Sequence, residues 1–342
     1  MKSILSIDGG GIRGIIPGMV LVELEEKLKS HTNSPEARIP DYFDFFAGTS
    51  SGAILISILL TPSAEDKNLP KYSARDAVGF YLKHGAEIFK SSFFKKILAK
   101  FGLVTEKFND EGLNKLFRQY FGDTKLSELL KPCIVTAYNT ELRKAHFFRQ
   151  QSARNKGLPK DFLVRDICRA STAAPSFFSP AEIYSLSGTR YPFIDGGIFA
   201  NNPSLVGIIE VSKIRHSANP GEMIILSLGT GTSTKAFHYH KLRNTRAIWA
   251  VRSLTNMILS GMSETTDFII REFFKISKQS SHYLRINTRD LSSVDEAIDN
   301  ATELNMQKLK ALGERIATEY SDDLDVLVDL LLEERNKTEN VK

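Results

Sequence analysis

The pentapeptide Gly48-Thr49-Ser50-Ser51-Gly52 sits between two apolar runs, and it restricts the chain more than any other stretch. Before it, Tyr42-Phe43-Asp44-Phe45-Phe46-Ala47 reads as a buried strand; after it, Ala53 to Leu60 reads as a buried helix. A strand that becomes a helix within five residues needs a sharp bend, which flanking glycines allow at little steric cost. The helix N-terminus then lies beside Ser50, where unpaired amides favour negative charge. In that context G-x-S-x-G is a nucleophile elbow, with Gly48, Thr49, Ser51 and Gly52 around a candidate nucleophile, Ser50. Taken alone, the pentapeptide is equally a Gly/Ser-rich turn.

Two further motifs favour the chemical reading. Lys2 to Ile7 is a short strand, Asp8-Gly9-Gly10-Gly11-Ile12-Arg13-Gly14 follows directly, and Ile15 to Leu28 has helical spacing with Glu23, Glu25 and Glu26 on its polar side. Gly9, Gly11 and Gly14 satisfy G-x-G-x-x-G, but a dinucleotide fingerprint also needs an acid closing the second strand. Here that strand runs into the serine turn. A glycine loop with free amides beside a serine elbow fits acyl transfer better, the loop supplying an oxyanion hole.

The third motif is Tyr191-Pro192-Phe193-Ile194-Asp195-Gly196-Gly197, an acid closing an apolar strand. A serine nucleophile needs a base within hydrogen-bond reach. The seven histidines, at 31, 84, 146, 216, 238, 240 and 282, fall in apparent loops or on polar helix faces. Asp195 is therefore the better base candidate, against the plain reading of an Asp-Gly turn.

These three motifs, in this order, resemble the patatin-like phospholipases, whose pattern is D-G-G-G-x-[KR]-G, G-x-S-x-G and D-G-[GA]. Asp166-Ile167-Cys168-Arg169-Ala170-Ser171-Thr172-Ala173-Ala174-Pro175, Asn201-Asn202-Pro203 and Leu226 to Gly231 also look like segments of that family. The likeness covers Ile4 to Gly231 and continues weakly to about Arg315. It implies a three-layer α/β/α fold with a mainly parallel sheet. It also implies Ser50 as nucleophile, Asp195 as its base, and an oxyanion hole drawn from Gly9, Gly10, Gly11, Ile12, Arg13 and Gly14. Arg13 matches a basic family position that would hold the loop or steady a phosphate. The implied activity releases fatty acid and lysolipid from phospholipids or galactolipids, with no metal or cofactor. The same dyad also suits acyl transfer or thioester hydrolysis, and a lipid-binding or storage protein is a non-enzymatic alternative. The pattern is also similar to bacterial effectors of the family switched on by cyclic nucleotides in anti-phage defence, but no residue here marks an activator site.

Composition is that of a folded protein: 25% charged and 42% hydrophobic residues in 342. Cys133 and Cys168 lie in apolar surroundings and read as free buried thiols, and no Cys/His cluster has metal-ligand spacing. Met1-Lys2 leads straight into a strand rather than a secretory signal, and no apolar run reaches membrane-spanning length. The expectation is a cytoplasmic enzyme meeting membrane lipids from outside the bilayer. The net charge of +5 brings no nucleic-acid motif with it. Six lysines stand against two glutamates in Lys83 to Lys107, where Phe89, Phe93, Phe94, Ile97, Leu98 and Phe101 share half a helical wheel. That segment is a candidate membrane-docking helix, against the plainer reading of a helix packed on the core.

Strand and helix alternate, with core strands at Ser3–Ile7, Tyr42–Ala47, Cys133–Tyr138, Tyr191–Ile194 and Met223–Leu228. Ala145–Arg149 pairs back on the Cys133 strand, and Tyr283–Asn287 is a late edge strand. Parallel strands place ligands beyond their carboxyl ends, so the glycine loop, Ser50 and Asp195 should converge there. The whole chain reads as one domain: a core over about 4–231, a mainly helical extension over about 243–335, and a frayed tail over 336–342. The helix over Leu324–Leu332 either closes the core or makes a homodimer contact.

Overall fold

The computed structural model describes residues 3–89, 108, 110–216, 222–233 and 247–339, except the side chains of 247–256 and 338–339. Its strands are β1 (Ser3–Ile7), β2 (Phe45–Thr49), β3 (Cys133–Asn139), β4 (Lys144–Arg149), β5 (Ala181–Tyr184), β6 (Arg190–Asp195), β7 (Ile224–Leu228) and β8 (Tyr283–Ile286). Five of them run parallel in the order β3-β2-β1-β7-β8. Every residue of β1, β2 and β7 is buried, which explains their unbroken apolar character.

The helices are α1 (Ile15–Thr32), α2 (Ser51–Leu60), α3 (Ala74–Ile88), α4 (Asp110–Phe121), α5 (Gln150–Lys156), α6 (Val164–Ser171), α7 (Gly197–Ala200), α8 (Ser204–Arg215), α9 (Ala247–Ile276), α10 (Glu303–Glu319) and α11 (Ser321–Glu339). They divide between two cores separated by the sheet. Leu5, Ile7, Phe46 and Leu226 pack with residues of α1, α2, α3, α10 and α11. Ile4, Phe45, Ala47 and Ile225 pack on the opposite face with Ile208 and Val211 of α8 and Ile270 and Phe274 of α9. Alternate residues of one strand thus feed opposite cores, giving the expected three-layer α/β/α arrangement. Leu324, Leu327, Val328 and Leu331 of α11 lie in the α1 core, so this helix closes the core.

The β3–β4 hairpin forms as the sequence suggests, its turn held by Leu142 N–H donating to Asn139 Oδ1 at 2.8 Å. The route by which Asp195 arrives differs from expectation. β6 is antiparallel to β3, so Asp195 does not stand at a parallel carboxyl end. β4 occupies one edge of β3 over Ile134–Asn139. On the other edge β2 pairs with Cys133–Thr136 and β6 with Ala137–Asn139. β2 and β6 therefore meet end to end along β3, and Asp195 stops where Thr49 leaves off.

Three local readings also change. β2 begins at Phe45 rather than Tyr42, because the Asp44 carboxylate turns to accept from Ser3 N–H at 3.2 Å. Glu25 is not on a polar face; it is 2% exposed and accepts from Ala74 N–H at the start of α3 at 3.2 Å. Burial raises its pKa, and the Ala74 bond opposes that shift. α11 continues to Glu339, through the first part of the expected tail. The proposed membrane-docking segment lies, beyond Phe89, outside the described residues.

Candidate active site

β2 delivers Ser50 directly to the N-terminus of α2. Ser50 adopts φ 52° and ψ −118°, a conformation costly for any residue with a Cβ and characteristic of an elbow held by its surroundings. The close approach of strand and helix requires the two glycines. A Cβ on Gly48 would lie 2.7 Å from Ala53 Cα, and one on Gly52 would overlap the Ile7 carbonyl oxygen. Ser51 O accepts from the Tyr81 hydroxyl at 2.8 Å, and Thr49 Oγ1 donates to Ala200 O at 2.6 Å.

Ser50 Oγ donates to Asp195 Oδ2 at 2.6 Å. Asp195 Oδ1 accepts from Gly197 N–H at 2.7 Å. The carboxylate is 6% exposed, and its burial pushes the pKa up to about 6 against the opposing bonds from Ser50 and Gly197. The last residue of α6 and the segment after it brace both partners. Ser171 Oγ accepts from Ser50 N–H at 2.9 Å and donates to Thr136 O at 2.8 Å, while Ala173 O accepts from Asp195 N–H at 3.0 Å. Gly196 is required because a Cβ there would overlap Thr136.

The glycine loop divides into engaged and open amides. Gly9 N–H donates to Asn201 O at 3.1 Å, Ile12 N–H to Ile298 O at 2.8 Å and Arg13 N–H to Gly10 O at 3.2 Å. Gly14, the N-cap of α1, is buried with Ser51 and Tyr81 beside it. Among the described residues, the amides of Gly10 and Gly11 have no hydrogen-bond partner, and both residues line the cavity that contains Ser50. Of the six loop residues suggested by sequence, these two combine an unbonded amide with a place on that cavity's wall. Arg13 does not line that cavity. It lines a separate small cleft behind the loop with Asp8, Asn201 and Thr230, and its burial pushes its pKa down to about 10, against the attraction of Glu296.

The Ser50 cavity holds about 810 Å3 of empty space, mouth included. Beyond Ser50, Asp195 and the two glycines its walls are mostly apolar, with Ile54, Phe80, Ile88, Leu113, Phe177, Phe178 and Leu259 among them. No described histidine lines it. His146 is not in a loop or on a polar helix face; it lies in β4 within an aromatic group, 4.6 Å from the Phe148 ring and 4.8 Å from the Phe193 ring. Burial pushes its pKa down to about 4, so it is neutral at ordinary pH. Cys133 and Cys168 are free and buried, as expected, with thiol pKa values pushed up by burial to about 12.

Sequence reasoning did not find the supports of the loop. Asp8 is held by Arg285 of β8, and Gly9 O accepts from Thr230 Oγ1 at 2.8 Å. The signal for Arg285 was a lone cation in an apolar strand, but nothing local names its partner.

A serine at a strained strand-to-helix turn, bonded to a buried carboxylate beside open amides and an apolar cavity, places this α/β/α protein in the class of acyl-hydrolase folds. A family model for patatin-like phospholipases matches residues 5–207, and the chain belongs to that family of ester-cleaving enzymes. It is 31% identical to Patatin-T5 of Solanum tuberosum over 332 residues, spanning 92% of this chain and 83% of that protein. It is 33% identical to Patatin-like protein 3 of Arabidopsis thaliana over 350 residues, spanning 92% and 80%. Among solved structures, VipD from Legionella pneumophila superposes with a TM-score of 0.34 at 12% identity, over 92% of this chain and 67% of that one, too loosely to carry an argument.

Proposed function

We propose that this enzyme is a serine lipid acyl hydrolase that cleaves fatty-acyl esters of phospholipids or galactolipids. Ser50 acts as nucleophile and Asp195 as general base. The observation that carries the reading is the 2.6 Å bond from Ser50 Oγ to a buried carboxylate at an apolar cavity. The acyl chain occupies the cavity, with its ester carbonyl between Ser50 and the Gly10 and Gly11 amides. Ser50 Oγ attacks the carbonyl carbon as its proton passes to Asp195 Oδ2. The two amides hold the resulting oxyanion, a role that works when donors are fixed before charge develops. The intermediate collapses, the ester C–O bond breaks, and Asp195 returns the proton to the departing lysolipid oxygen. Water then attacks the acyl-enzyme, giving its proton to Asp195, and free fatty acid leaves as the proton returns to Ser50. Among the described residues no helix is long and apolar enough to cross a membrane.

The test is mass-spectrometric product analysis of wild type, Ser50→Ala and Asp195→Ala on mixed phospholipid and galactolipid vesicles. Free fatty acid plus lysolipid should come from wild type, with turnover at least about 1000-fold lower in either variant. A folded Ser50→Ala protein with ordinary turnover would end this reading.

A further inference from the structure

We propose that Arg285 is a positioning residue for the reaction, acting through Asp8 to aim the Gly10 and Gly11 amides. The proposal rests on the reading of those amides as oxyanion donors. Arg285 lies well outside residues 5–207, and β7 separates its strand from β1. Its side chain crosses β7 at Ser227, its register partner, and donates from Nη1 to Ser227 Oγ at 2.8 Å. It then grips the Asp8 carboxylate with both arms, Nη1 to Oδ1 at 2.9 Å and Nη2 to Oδ2 at 2.6 Å. Both side chains are almost wholly buried, at 4% and 3% exposure, so solvent does not screen the pair.

Asp8 is the residue from which the glycine loop leaves β1, and the other bonds that fix the loop from outside it come from residues between 201 and 298. Asp8 N–H donates to Leu228 O at 2.9 Å, and Ser263 Oγ of α9 reaches Asp8 Oδ2 at 3.4 Å. Thr230 holds the Gly9 carbonyl, Asn201 the Gly9 amide, and Ile298 the Ile12 amide. The loop is pinned at Asp8–Gly9 and at Ile12, and the two unbonded amides lie between the pins. Asp8 itself does not line the Ser50 cavity, so Arg285 acts on the reaction only through backbone placement. A cation of this planar, two-armed geometry fixes a carboxylate's orientation as well as its charge, which lysine does not.

The experiment compares Arg285→Gln, Arg285→Lys and the double variant Asp8→Asn/Arg285→Gln with wild type. The readouts are kcat and KM on p-nitrophenyl butyrate, affinity for an alkyl trifluoromethyl ketone that forms an oxyanion on serine, and affinity for 1-decanol, which fills the apolar cavity without an anionic oxygen. Folding is checked by circular dichroism. Folded Arg285→Gln should lose about 10- to 100-fold in kcat with KM within about threefold. Ketone affinity should fall in parallel while decanol affinity holds, and Arg285→Lys should recover part of kcat. If Arg285→Gln strands the Asp8 charge and does not fold, the double variant leaves no buried ion and should show the same split. Wild-type kcat in a folded variant, or equal loss of ketone and decanol affinity, would overturn the assignment. A wild type that neither turns over ester nor binds the ketone through Ser50 would overturn the functional reading as well.

Discussion

At Asp195 two demands oppose each other. Burial lifts its pKa to about 6, while the bonds from Ser50 and Gly197 pull it down. The proposed mechanism needs the ionised form, so kcat/KM on a soluble ester should be flat above about pH 6 and fall roughly tenfold per pH unit below it. An acid limb near pH 4 would contradict this. The same shift carries a stability cost whose sign is fixed. The folded value lies above the ordinary 3.8, so the folded protein binds more protons between about pH 4 and pH 6 and loses stability as pH rises through that window. Asp195→Asn should therefore be more stable than wild type above pH 6, by on the order of 3 kcal/mol in thermal or denaturant unfolding, the gap closing near pH 4. The pairing of Ser50 with Asp195 was legible from sequence because both sit in motifs whose chemistry is explicit. Glu25, His146 and Arg285 were not, because their environments come from Ala74, Phe193 and Asp8, far away in the chain.

At the scale of elements, the elbow depends on β1, β2 and α2 approaching more closely than side chains permit. Gly52→Ala would drive a methyl into the Ile7 carbonyl, and neither backbone can retreat. Thermal unfolding should show a loss of more than about 2 kcal/mol. Gly261, within α9, has open space where a Cβ would sit. Gly261→Ala should gain up to about 1 kcal/mol, since only helix propensity changes. If both substitutions behaved alike, close packing at the elbow would not be the reason for its glycine. The elements themselves were visible as apolar runs with strand or helix spacing. The direction of β6 was not, since Tyr191–Asp195 reads the same in either sense; the choice is made by the free stretch of β3 edge that it joins.

For the molecule as a whole, we expect the full chain to fold as one unit although the family match ends at 207. A cut there removes β7, leaving the fully buried β1 without one neighbour, and removes α10 and α11 from the core around α1. The 1–207 fragment should be insoluble or lack a cooperative thermal transition. A sharp melt from that fragment would show the remainder to be an accessory. The end-to-end meeting of β2 and β6 along β3 has its own consequence. Both groups of the proposed dyad ride one rail whose pitch is about 3.3 Å per residue, with faces alternating at each step. Their spacing is therefore indexed rather than adjustable. Slipping β6 by one notch would carry Asp195 a full step along the rail and turn it to the far side of the sheet. Intermediate settings do not exist, so a change in a surface loop or cavity wall leaves the distance between the proposed nucleophile and base unaltered.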